Sequence, residues 1–164
     1  MYVPRHFEAD EDVVRELLTG GSVADLVTVG PDGLRATLIP FLYDPDLGSH
    51  GSLVGHLARP NDQWGDVAGP ALAIVRGPDA YISPSWYASK AEHGRVVPTW
   101  NYSAVHLTGK ATVHDDPDWV RDAVTALTER HEGEREVPWR LLANGERHRR
   151  PGRPRKLRWV VRRG

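Results

Sequence analysis

A succession of short β segments, most of them closed by a turn signal, constrains this chain of 164 residues more than any other feature. Residues 23–29 (VADLVTV) run into Gly30-Pro31-Asp32-Gly33 and continue as 34–43 (LRATLIPFLY), the pattern of a hairpin. After the polar, turn-rich loop 44–51, residues 52–57 (SLVGHL) read as a third strand and 71–76 (ALAIVR) as a buried one. Gly77-Pro78-Asp79 predicts a turn, and residues 80–83 open the next strand. Residues 104–114 alternate at Val105, Leu107, Ala111 and Val113, with Gly109 at a bulge or hairpin point. Helices bracket this array. Asp10, Glu11 and Asp12 place acids in a first turn, where the helix dipole favours them. Val13, Val14, Leu17 and Leu18 follow on one apolar face, and Gly20-Gly21 ends the helix. A second helix, 119–131, starts behind the cap Asp115-Asp116-Pro117-Asp118 and is apolar at Trp119, Val120, Val124 and Leu127. Pro60 near a first turn predicts a short helix over 60–64, and Pro4 keeps the lead-in 1–7 extended. The prediction is a mainly β fold with flanking helices, a small barrel of five to seven short strands.

The interval 80–106 fits that pattern least. It carries Tyr81, Trp86, Tyr87, Trp100 and Tyr102 among prolines, serines, Lys90, Thr99 and Asn101. It is too apolar for a solvated loop and too irregular for a strand. Its rings either cover something flat or plug one end of the β core. Length supports one domain with a core of its own. The absence of cysteine excludes disulfides, thiolate zinc sites and a cysteine nucleophile. With no signal peptide and no apolar run near the roughly 18 residues of a membrane span, a cytoplasmic protein is expected. The net charge of −1 hides a division. Residues 1–139 carry 11 Lys/Arg against 21 Asp/Glu, whereas 140–164 carry 10 against one, Glu146. Asymmetry of that size marks a tail with its own partner or origin.

Four segments together resemble the PaiB family of FMN-binding negative transcriptional regulators. They are MYVPRHF at 1–7, LIPFLYD at 38–44, LVGHLARPNDQW at 53–64, and the block from GPDAYISPSWYASK (77–90) to VVPTWNYSAVHLTGKA (96–111). The resemblance covers residues 1–139. It implies a six-stranded FMN-binding split β-barrel of the pyridoxamine phosphate oxidase-like kind, forming a homodimer with one FMN at each end of the interface. The aromatic interval would then wall the isoalloxazine ring.

FMN needs cations and N–H donors at its phosphate, hydrogen bonds to ring and ribityl atoms, and an apolar face. Arg59 offers a bidentate fork for the phosphate, helped by the N–H groups opening the 60–64 helix. Lys90, Ser83 and Ser85 are further phosphate candidates. Thr37, Gln63, Thr99 and Asn101 suit the ring edge or ribityl chain, and Trp64 and Trp100 the apolar face. Each has a plainer alternative: an ion pair for Arg59, a solvated Lys90, a turn cap for Asn101, and core or dimer contacts for the tryptophans. His56 and His106 lack metal-ligand spacing, and His56 is expected to be satisfied by a backbone or cofactor hydrogen bond. No catalytic residue is assigned. A flavin-dependent oxidoreductase using the same pocket is the alternative function, and haem or another flavin-like cofactor is a third possibility.

The tail departs from the family pattern. Beyond Pro138-Trp139 the family continues through a helix and a last strand to a KxSQNR-type segment near the cofactor. Here the text is RLLANGERHRRPGRPRKLRWVVRRG. It reads either as shifted-frame text of a GC-rich gene or as a divergent basic tail packed on the barrel. In the second case Pro151-Gly152-Arg153-Pro154-Arg155-Lys156 resembles the core of a minor-groove AT-hook. Leu157, Trp159, Val160 and Val161 could then stand in for the last strand. The acidic body repels DNA, so DNA binding would fall to 140–164.

Overall fold

The computed structural model describes residues 3–66, 69–140 and, for the backbone, 155–161. The AT-hook-like run lies almost wholly outside the described residues. Helix α1 (Glu11–Gly20) starts where the Asp10 carboxylate accepts from Val13 N at 2.9 Å, and it turns Leu18 into the core. Strands β1 (Val23–Gly30) and β2 (Gly33–Asp44) form the expected hairpin, in register from Val23↔Pro40 to Gly30↔Gly33. Gly33 adopts a φ of 111°, which an L side chain resists and glycine accepts. Strand β3 (Ser52–Leu57) pairs with β2, β4 (Pro70–Ile82) with β1, and β5 (Thr99–His114) with β4, all antiparallel. The result is a mainly β fold with flanking helices, in which five strands curl in the order β3-β2-β1-β4-β5. Helix α2 (Ala88–His93) sits between β4 and β5, and α3 (Pro117–Glu132) follows β5, capped by the Asp116 carboxylate. The last described segment, β6 (Arg155–Val161), runs antiparallel to both β3 and β5. None of the helices among the described residues is long and apolar enough to cross a membrane.

The curl puts alternate residues inside. Ala24, Leu26 and Thr28 of β1, Ile39 and Phe41 of β2, Leu53 and Leu57 of β3, and Ala71, Ala73 and Val75 of β4 are all buried. Trp64 packs on this cluster from its edge. Two local expectations fail. Gly77-Pro78-Asp79 is no turn: β4 passes straight through, and the register shifts between Arg76 and Asp79. A bulge accommodates Pro78, which has no N–H for a ladder. The flanking Gly77 lies so close to α1 that a Cβ there would meet Leu17 Cδ1 at 2.6 Å. The second failure is the irregularity expected of the aromatic interval. Residues 99–103 belong to β5, paired with β4 from Ile82↔Thr99 to Asp79↔Tyr102. Only the tip is irregular, with a 3-10 turn Pro84–Trp86 leading into α2. Gly109 pairs in register with Ala71 and Val161, without a bulge. The short helix expected over 60–64 is a 3-10 turn, Asp62–Asp66.

Candidate functional site

The predicted site residues fall into groups on different elements. The first lies where the Asp62–Asp66 turn covers the inner ends of β1 and β2. Gln63 is buried there with both ends of its amide engaged. Its Nε2 donates to Leu26 O at 3.1 Å, Thr28 Oγ1 at 3.0 Å and Arg35 O at 3.3 Å. Its Oε1 accepts from Thr37 Oγ1 at 2.5 Å, and Thr37 in turn accepts from Asn61 Nδ2 at 3.1 Å. A buried amide so enclosed holds the turn onto the barrel and has little capacity left for a ligand. Thr37 and Gln63 are therefore brought together, but by each other.

Around them Arg35 donates to Asp62 and, at 3.2 Å, to the nearly buried carboxylate of Asp66. The bond from Arg35 holds Asp62 below the ordinary carboxylate range, and the same bond raises Arg35. Arg35, Asn61 and Asp66 were not among the sequence candidates. Their signal was faint: only the polar triplet after Pro60 hinted that the turn was built to be pinned. Arg59 leaves β3 immediately before this turn and is exposed. Among the described residues, none is hydrogen-bonded or ion-paired to it. It is the cation of this end that remains available to an anion.

The second group sits on the far ribbon of β4 and β5. Trp100 Nε1 donates to Asp79 Oδ1 at 2.9 Å, and its ring centroid lies 6.3 Å from that of Tyr81. Lys90 Nζ donates to Ser85 Oγ at 2.9 Å, while Ser83 Oγ accepts from Ser85 N at 3.2 Å. Thr99 and Asn101 are exposed on the same strand as Trp100, yet the two-residue period puts them on the opposite side. Ring contact by Trp100 and edge contact by Asn101 thus belong to opposite sides of one ribbon.

His56 belongs to neither group. It lines a cavity of ≈330 Å³ between β3 and α3, shared with Pro40, Val124, Leu127, His131 and Trp139. The Trp139 N–H donates to Glu132 Oε2 there, at 3.0 Å.

With this geometry in hand, the comparisons can be weighed. The chain is 32% identical over 141 residues to "Protease synthase and sporulation protein PAI 2" of Bacillus subtilis, covering 84% of this chain and 65% of that protein. It is 31% identical over 157 residues to "Uncharacterized protein YKL070W" of Saccharomyces cerevisiae, covering 82% and 92% of the two chains. Among solved structures it resembles the FAD and heme binding protein from Mycobacterium smegmatis, with a TM-score of 0.67, 18% identity, and coverage of 94% and 67%. The flavocytochrome Anf3 from Azotobacter vinelandii gives a TM-score of 0.61, 15% identity, and coverage of 99% and 73%. At such identities the structural likeness speaks to the fold alone. The family model described as "Putative FMN-binding domain" matches residues 1–151, and the chain belongs to that family.

Proposed function

We propose that this is a cytoplasmic, dimeric FMN-binding protein of the PaiB type. Residues 1–139 form its flavin domain, a split barrel in which β6 of the basic tail 140–164 serves as the sixth strand. Family membership supports a flavin ligand, and one observation here carries the reading: Arg59 is exposed and uncommitted at the barrel's polar end, beside a turn pinned from within. A rigid turn next to an available guanidinium suits a phosphate. Thr99 and Asn101 offer exposed donors and acceptors for the ring edge or ribityl chain, with Lys90 a second cation. Thr37 and Gln63 hold the frame. Bound FMN would supply one- or two-electron chemistry.

The direct test is the visible spectrum and FMN uptake of the purified protein. The wild-type chain should bind FMN, and Arg59→Ala should weaken binding about tenfold, or ~1.4 kcal/mol. An unchanged affinity would remove Arg59 from the phosphate. Steady-state reduction of the bound flavin by NADH or NADPH separates a flavin-dependent oxidoreductase from a regulator that only binds it. A gel shift with and without residues 140–164 tests the transcriptional role. A Soret band in place of flavin absorption would favour haem.

A further inference from the structure

We propose that the aromatic outer side of the β4–β5 ribbon, formed by Tyr81, Trp100 and Tyr102, completes the flavin site of a second copy of this chain and not its own. The proposal rests on the flavin reading above.

The ladder separates the two sides cleanly. Leu107 and Ala111 of β5 are buried in the barrel, and the same parity carries Val105, Ser103, Asn101 and Thr99 on the inner side. Trp100 and Tyr102 have the opposite parity and are 59% and 62% exposed. The register from Asp79↔Tyr102 to Ile82↔Thr99 sets Tyr81 against Trp100 on that outer side. The indole is held there by its bond to Asp79 Oδ1 at 2.9 Å, so it does not swing round to join Asn101.

The same outer side is apolar well beyond the ribbon. Val29, Leu34 and Leu38 of β1 and β2 are 58%, 78% and 61% exposed, with Val23 beside them. Outward-facing valines and leucines on adjacent strands form a surface that solvent does not favour. A second copy fits it on charge. Residues 1–139 carry an excess of ten acids, so most faces of two copies repel. On this side Asp25 is paired with Arg76 at 2.5 Å, and Asp79 is bonded to the indole. Two-fold contact uses the same patch on both copies, so each ribbon's rings lie against the other's barrel. One site then combines Arg59 and Asn101 of one chain with Trp100 of the partner copy.

Complementation tests this. Arg59→Ala and Trp100→Ala chains carrying different tags are co-expressed, and the mixed dimer is purified through both tags. Each variant alone should lose about tenfold or more in FMN affinity, whereas one of the two sites in the mixed dimer is intact and should hold about half the wild-type flavin. A mixed dimer no better than its parents places Trp100 in its own chain's site and overturns the proposal. Light scattering gives a flavin-independent check. The wild-type chain should be a dimer and Leu38→Glu a monomer with weakened FMN binding. A wild-type monomer, or a monomeric Leu38→Glu that binds FMN normally, overturns it. A dimer that takes up no FMN at all defeats the flavin reading itself, and the role of Trp100 with it.

Discussion

Gln63 shows how a single side chain can look like a ligand contact and serve as a bolt. A polar amide after Pro60-Asn61-Asp62 matches what a ribityl chain would want, and nothing local tells the two uses apart. Burial decides it, because a buried amide must satisfy its own groups before it serves a ligand. Gln63→Leu leaves the carbonyls of Leu26 and Arg35 and the hydroxyl of Thr28 without this donor. The expected cost is about 2–3 kcal/mol in urea unfolding. Asp62 gives a pH-dependent counterpart. Its carboxyl is held low by the Arg35 bond, so it stabilises the fold above its unfolded value, and that contribution is lost as pH falls through the lower folded value. The urea midpoint of Asp62→Asn should therefore lie below wild type at pH 7. The two should converge below about pH 4. A difference that persists at pH 2–3, roughly below both carboxyl values, would show that the Arg35 bond is not the cause.

Among the elements, those resting on local signals were legible in the sequence. The capped helix α1, the β1–β2 hairpin, β3 and α3 all lie within a few residues of where acids, glycines and apolar periods place them. The joins between elements were not. Gly-Pro-Asp is a turn by every local rule, yet β4 continues through it because pairing with β5 resumes on the far side and a bulge absorbs the proline. Helix packing was equally invisible. Arg130 of α3 donates to the carbonyls of Thr19 and Gly21, tying the end of one helix to the end of the other across more than a hundred residues. Gly21 is the tightest point of that junction. A Cβ there would sit 2.9 Å from Phe41 Cζ, 3.0 Å from Leu17 O and 3.1 Å from Val75 Cγ1. Gly21→Ala should destabilise by about 1–3 kcal/mol, read as a lower thermal midpoint. An unchanged midpoint would mean that α1 can lift off the barrel freely.

For the whole molecule, a ligand that binds only the folded chain must raise its stability. FMN at about a hundred times its dissociation constant should add about 2.7 kcal/mol. A thermal midpoint unmoved by such an excess would argue against a folded-state flavin site. The sequence by itself determined the class of fold, the family and the cast of candidate residues, because local periods, caps and motif runs are written in neighbouring positions. Tertiary structure alone decided what each candidate does. Strand register put Trp100 and Asn101 on opposite sides of one ribbon, and burial committed Thr37 and Gln63 to one another. It left Arg59 exposed beside them. Those outcomes depend on pairings between residues far apart in the chain, and a one-residue change of register would reverse which side chains face the barrel and which face a partner.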